Sequence, residues 1–255
     1  MSTAVAEKPA AAAKPAKKEL FDLSTLVKIE PPRRPDSTFS MLLYGKPKVG
    51  KTLLAGTASD VEALSPVLVL AVEDGSSVLA QNYEDIDVAN VEDWETAAAV
   101  ITQVAEGNTK YKTIIVDTLG ELQEQMLMHI TKDKTEAMRI QDWGTILDNT
   151  VNVVKMLHRS NINAIFITHA DRTKDESTGS VMISPVLKGK ASLGEVPKIV
   201  DIIGYMQIAT DENKNNVRVL VTEATDKIDA GDRFGKLESI IPNPTMQTVY
   251  NQLTA

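Results

Sequence analysis

Hydrophobic positions in this chain fall into two kinds of run. Phe39 to Tyr44 (FSMLLY), Val67 to Val72 (VLVLAV), Thr113 to Val116 (TIIV) and Ala164 to Thr168 (AIFIT) are short, continuous and mostly rich in branched side chains. Runs of that kind fit strands buried on both faces, as in a parallel sheet covered by helices. Ile86 to Ala89 is a shorter candidate strand. The second kind is periodic. From about Val91 to Glu106, Trp94, Ala97, Ala98, Ile101 and Val104 (or Ala105) mark one face of a helix, with Asn90 as its expected cap and Gly107 as its stop. Leu119, Leu122, Met126, Leu127 and Ile130 mark a second helix. A charged connection (TKDKTEAMR) leads to a third from about Trp143 to Arg159, with Ile146, Leu147, Thr150, Val153, Val154 and Leu157 inward. Strands alternating with helices predict an α/β domain.

Outside these segments the pattern changes. Residues 1–18 are rich in Ala, Lys and Pro and cannot bury a core, so a disordered arm is expected there. Leu20, Phe21, Leu23, Leu26 and Val27 form an apolar cluster, which either folds back on the domain or docks on a neighbouring subunit, and PPRRP (Pro31 to Pro35) follows as a stiff linker. From Ala170 to Pro197 periodicity is weak and charge, Gly, Ser and Pro dominate, which predicts a long functional or disordered loop. Asp201 to Ala209 and Val217 to Thr222 alternate around a polar turn (TDENKNN) and predict an antiparallel hairpin, with a short tail helix from about Thr245. The expected organisation is an arm and linker over 1–37, one domain over 38–245 and a tail over 246–255.

The candidate chemistry centres on GKPKVGKT at 45–52. Gly45, Gly50, Lys51 and Thr52 fill the fixed positions of a G-x-x-x-x-G-K-[ST] phosphate loop, and Lys46, Pro47, Lys48 and Val49 fill the variable ones. The motif lies between a candidate strand and a candidate helix, as its mechanism requires. Glycines let the backbone close on an anion so that successive N–H groups point at phosphate oxygens. Lys51 is expected at the β- and γ-phosphates and the Thr52 hydroxyl on Mg²⁺. Together these residues imply that the chain binds a nucleoside triphosphate.

Composition narrows the setting. With 255 residues, 43% of them hydrophobic, there is material for one substantial core. The absence of cysteine excludes disulfides, zinc–thiolate sites and thiol catalysis. No apolar run reaches the length of a membrane span or forms a signal-peptide core, so no membrane contact and a cytoplasmic location are expected. A formal net charge of -8 speaks against a constitutively basic nucleic-acid binder, while leaving room for a local basic groove.

Further strand ends complete the expected site. Asp117, closing the TIIV run, is placed to hold the water shell of Mg²⁺, which takes few protein carboxylates. Glu73 or Asp74, after VLVLAV, can orient the attacking water. His169, after AIFIT, can donate a hydrogen bond to the γ-phosphate and report its presence to the segment that follows. Open α/β sheets bind ligands at the carboxyl ends of their strands, which would bring these groups to one crevice. His129 and His158, both on predicted helices, carry no such role.

In this order the elements resemble the RecA-like ATPase core. YGKPKVGKT, TIIVDTLGEL, IFITHADR and PVLKGKA…VPKIVDIIGYM are further similar to phage-encoded P-loop proteins of the AAA type, a group that includes single-strand-annealing recombinases related to RecA. The resemblance spans roughly residues 38 to 245. It implies a RecA-like P-loop NTPase core: a mostly parallel sheet flanked by helices, with a C-terminal antiparallel hairpin. It also implies an ATP- and Mg²⁺-dependent hydrolase that binds single-stranded DNA as a homo-oligomeric ring or filament and serves DNA recombination. A single-strand-binding protein is a candidate partner. A helicase-loading ATPase and a nucleotide-gated binding module are the rival readings. Residue by residue, Lys51 and Thr52 match the family's phosphate-loop pair and Asp117 its metal-organising aspartate. Asp74 stands for the water-activating glutamate, although it is shorter and Glu73 beside it can substitute. His169 stands at the γ-phosphate-sensing position. Lys188 and Lys190 match lysines that reach a neighbouring subunit's nucleotide, with contacts to DNA as the alternative. The segment from Ala170 to Pro197 stands at a DNA-binding loop. Its neighbourhood carries Arg172, Lys174, Lys188, Lys190 and Lys198 against Asp171, Asp175, Glu176 and Glu195, so it is barely positive.

Overall fold

A computed structural model of the chain describes residues 21–29, 38–72, 77–80, 83, 86–131, 139–174, 179 and 181–255. The chain divides into two compact units, Met1–Arg33 and Arg34–Ala255. In the described part of the first, Leu23–Thr25 is a single 3-10 turn, begun by Asp22, whose carboxylate accepts from Ser24 N at 2.9 Å. Phe21, Leu26, Val27 and Ile29 there are exposed.

In the second unit the strands are β1 (Ser40–Gly45), β2 (Val67–Ala71), β3 (Ile86–Asn90), β4 (Thr113–Asp117), β5 (Asn163–Lys174), β6 (Val181–Pro185), β7 (Ile202–Thr210), β8 (Asn216–Val221), β9 (Gly231–Asp232) and β10 (Ile240–Pro242). The helices are α1 (Lys51–Gly56), α2 (Ser77–Ala80), α3 (Trp94–Ala105), α4 (Leu119–Thr131), α5 (Ile140–Arg159), α6 (Lys190–Ile199) and α7 (Met246–Thr254). Among the described residues the strands run in the order β10-β8-β7-β1-β5-β4-β2-β3, with β6 added to β5 and β9 to β7. From β7 to β3 every pairing on this path is parallel. β8 and β10 continue the sheet antiparallel, so the predicted C-terminal hairpin is the β7–β8 pair.

Every residue of β1, β2 and β4 is buried, as their continuous apolar runs require. Successive side chains leave a strand on opposite faces, so each run feeds two cores. Met41, Leu43, Val69, Ile115 and Ile165 pack on one face with Leu54 of α1 and with Met246, Val249 and Leu253 of α7. Leu42, Leu70, Ile114, Val116 and Phe166 pack on the other with Ile101, Leu122, Val154 and Val196 of α3 to α6. The last ten residues, set apart as a tail on sequence grounds, therefore contribute a core helix. Thr57 Oγ1 accepts from Met246 N at 2.7 Å and fixes where that helix begins.

The structure corrects three expectations. Asn90 ends β3 opposite Ala71, and Asp93 caps α3 instead, its carboxylate accepting from Thr96 N at 2.8 Å. The α5 helix starts three residues before Trp143, at Ile140, where Asp142 accepts from Arg139 N at 2.9 Å. The segment from Ala170 to Pro197 is not a long loop: β5 runs on to Lys174 and pairs antiparallel with β6, and α6 follows. Solvent wets much of that hairpin, and Gly194 and Pro197 inside α6 read as loop punctuation, so neither element had a clear period. No described helix is long and apolar enough to cross a membrane.

Candidate nucleotide-binding site

The phosphate loop leaves the carboxyl end of β1, in the middle of the sheet. Gly45 lies opposite Met206 of β7, and a Cβ there would stand 2.4 Å from the Met206 carbonyl oxygen. Only a glycine fits this crossing. The loop then turns through two left-handed residues, Lys48 at φ 64° and Gly50 at φ 103°, before α1 begins. Lys51 is 6% exposed and folds back over its own loop, donating to Gly45 O at 3.1 Å and Lys46 O at 3.0 Å. An ammonium held so is desolvated yet hydrogen-bonded.

Asp117 closes β4, with Ile167 of β5 in register beside it. Because β5 lies between β4 and β1, Asp117 and the loop reach each other across one strand. Thr52 Oγ1 closes the gap by donating to Asp117 Oδ2 at 2.7 Å. The carboxylate is 6% exposed, and the peptide bond that follows it is cis. His169 stands opposite Gly45 in the β1–β5 register. Its Nδ1 is buried and has no hydrogen-bond partner among the described residues.

Lys48, Lys51, Thr52, Asp117 and His169 thus line one cavity of about 440 Å³. Val78 and Leu53 add an apolar wall to it. Glu73 and Asp74 lie outside the described residues. Lys188 does not line this cavity. Its ammonium pairs with Glu124 of α4, and its backbone N–H donates at 2.7 Å to Oε1 of the fully buried Gln123. Gln123 also donates to Lys188 O at 3.3 Å and Thr150 Oγ1 at 3.1 Å, pinning the approach to α6. Lys190 is the first residue of α6, and its side chain lies outside the description.

One lining residue had no signal in the sequence. Arg218 of β8 donates from Nε to Val49 O at 3.0 Å and reaches the cavity from 169 residues away. An isolated arginine inside an apolar strand run (NVRVLV) reads as a solvent-facing position, and only the pairing of β8 beyond β7 brings it to the loop.

The donors fit a magnesium nucleotide. Thr52 and Asp117 offer hard oxygens side by side, and Lys48 and Lys51 offer cations for phosphate. Among the described residues no group of three or more His, Cys, Asp or Glu could hold a metal ion unaided. One threonine hydroxyl beside one carboxylate suits Mg²⁺, which takes one or two carboxylates and relies on substrate phosphates and water.

A family model described as AAA domain (AAA_24) matches residues 37–234. No curated protein matches the chain. Among solved structures, it is similar to a KaiC-like protein of the hyperthermophilic archaeon Pyrococcus horikoshii OT3, at 14% identity and a TM-score of 0.43, over 72% of this chain and 77% of that one. It is also similar to an ATPase from the type III secretion system of pathogenic bacteria, at 15% identity and a TM-score of 0.47, over 68% of this chain and 54% of the other.

Proposed function

This chain belongs to the AAA domain family and is a P-loop ATPase with a RecA-like α/β core, and from that premise we propose that it is Mg²⁺-dependent and acts as an oligomer on single-stranded DNA, in annealing or recombination. The observation that carries the nucleotide chemistry is the 2.7 Å bond from Thr52 to Asp117. It joins a phosphate loop and an acidic strand end that lie 65 residues apart in sequence.

Lys51 lies on the loop carbonyls, where its ammonium would meet a bound phosphate. Thr52 and Asp117 would hold Mg²⁺ directly or through its waters. When bound, the ion neutralises charge on the phosphate oxygens as bond breaking develops. His169 has a buried ring nitrogen beside that cavity with no partner among the described residues, which suits a sensor of the terminal phosphate. Glu73 or Asp74 would orient water.

The DNA part of the reading rests on the resemblance to annealing recombinases and on what surrounds the loop. A second cleft of about 300 Å³ lies against the phosphate loop. Lys46, Lys48 and Arg172 supply cations to it, Tyr205, Met206 and Ile208 supply apolar surface, and among the described residues no carboxylate lines it. In a chain of net charge -8 that is a local reversal of sign, suited to the phosphates and bases of a single strand. Lys48 lines both cavities, a direct route by which nucleotide and DNA could influence each other.

The test is ATP hydrolysis titrated with single-stranded and duplex DNA. Stimulation by single strands is expected, with Lys51→Ala abolishing hydrolysis while the protein stays folded. His169→Ala should still bind nucleotide, but its DNA affinity should no longer depend on nucleotide state. Hydrolysis that ignores DNA, together with no nucleotide-dependent DNA binding, removes the DNA reading and leaves the ATPase. Stimulation that needs an added helicase assigns a loader instead.

A further inference from the structure

The β7–β8 hairpin touches both glycines of the phosphate loop. β7 does so through the Met206 carbonyl, which leaves no room for a side chain at position 45. β8 does so through Arg218, whose Nε and Cδ lie 2.9 Å and 3.4 Å from where a Cβ on Gly50 would stand. The arginine therefore occupies the space that a side chain at position 50 would fill. Its backbone is tied in turn, with Arg218 O accepting from Asn243 N at 2.7 Å.

Its hydrogen bond to Val49 O has a consequence for the loop. A trans peptide is planar, with its C=O and N–H pointing to opposite sides. Drawing the Val49 carbonyl toward Arg218 turns the N–H of Gly50 away from it, to the other side of the loop. That N–H is one of the amides a phosphate loop presents to its anion. Arginine has five N–H donors in a planar fork, and the bond to Val49 uses only the one on Nε. Among the described residues no carboxylate pairs with the guanidinium, which lines the same cavity as Lys51, Thr52 and Asp117. A guanidinium fork beside a phosphate site is suited to bidentate binding of phosphate oxygens.

We propose that Arg218 is a phosphate-contacting and loop-positioning residue: its Nε holds the Val49–Gly50 peptide in its binding orientation, and its terminal nitrogens take a phosphate oxygen of the bound nucleotide. The C-terminal hairpin thereby reads whether the loop is filled. The proposal rests on the ATPase reading above and is independent of DNA.

The experiment measures kcat and KM for ATP, and the affinity of a fluorescent ADP analogue, in Arg218→Ala, Arg218→Lys and Arg218→Gln, with Lys51→Ala alongside. Loss of a charge-assisted contact weakens binding by about tenfold to a hundredfold. KM for ATP and the ADP dissociation constant should rise by that factor in Arg218→Ala, with a smaller effect on kcat. Lysine keeps the charge and should recover part of the affinity, whereas glutamine keeps a neutral donor and should not. The lysine and glutamine variants are readable even where alanine destabilises the strand. Unchanged KM and ADP affinity in Arg218→Ala, while Lys51→Ala abolishes hydrolysis, would overturn the proposal and leave the nucleotide site standing. Equal and full recovery by lysine and glutamine would also overturn it, because a bond to Val49 alone would then suffice. Normal hydrolysis by Lys51→Ala would remove the site on which the proposal stands.

Discussion

At the scale of single residues, two glycines show how differently one side-chain type can be constrained. Gly45 meets a backbone carbonyl at 2.4 Å from its missing Cβ, and that carbonyl belongs to Met206, its ladder partner in β7. Neither strand can retreat without opening the central parallel pairing. Gly45→Ala is therefore expected to cost about 1–3 kcal/mol, the range for overpacking a tight interior, and to weaken nucleotide binding with it. Gly144 lies inside α5 with nothing within 4 Å of its would-be Cβ, so Gly144→Ala should stabilise by about 0.5–1 kcal/mol through helix propensity. Paired thermal melts and nucleotide titrations check both. A Gly45→Ala protein with unchanged melting temperature would show that β7 yields at this crossing. The motif named both loop glycines, but for their freedom to wrap an anion. That β7 also excludes a side chain at position 45 is a long-range contact, invisible in eight consecutive residues.

At the scale of elements, the far end of β1 is held by a buried polar cluster. Ser40 N and Oγ donate to Asp201 Oδ2 at 2.9 and 2.8 Å. His158, at the end of α5, meets the Ser40 hydroxyl at 2.8 Å through Nδ1. Arg233, next to β9, donates to Asp201 Oδ1 at 3.2 Å and to Lys198 O at 2.6 Å. Strand, helix and hairpin are thus tied at one carboxylate, which is 5% exposed. Asp201→Ala leaves the buried Ser40 N–H without its acceptor, while the Ser40 hydroxyl keeps His158. Arg233 is half exposed and can turn to water, so the expected cost is roughly 2–4 kcal/mol, below the loss for a fully buried pair. Urea denaturation should show a lower midpoint at unchanged slope. ATP affinity of the folded variant should stay normal, because this cluster lies at the opposite end of β1 from Gly45; a weakened affinity would place it in the site. His158 gave no sign of this on the sequence, since a helical histidine looks the same whether it faces water or a carboxylate. The hairpin of β5 and β6 was missed for a related reason. Its side chains are exposed on much of both faces, so no apolar alternation marks it.

At the scale of the whole molecule, the proposed assembly makes the first unit the segment to test. Within nine described residues it exposes Phe21, Leu26, Val27 and Ile29 at 60% or more each, an apolar cluster suited to burial against a second copy of the chain. Deletion of residues 1–30, or Phe21→Ala alone, should reduce assembly size in light scattering while ATP binding by the remaining unit persists. Undiminished assembly would assign oligomer contacts to the second unit.

Some properties of this protein are written locally. A strand, a loop with fixed glycines, a lysine and a threonine occupy fourteen consecutive residues from Phe39 to Thr52, so spacing alone announces the phosphate site. Buried strands betray themselves by unbroken apolar runs, because both of their faces must leave water. Others are settled by neighbours in space. The insertion of β5 between β1 and β4 aligns Asp117 with Thr52 and His169 with Gly45. The addition of β8 beyond β7 brings Arg218 to the loop, and the core needs α7 for part of one face. None of these pairings leaves a local trace, since each depends on which buried surfaces and hydrogen-bonding edges meet once the chain has closed on itself.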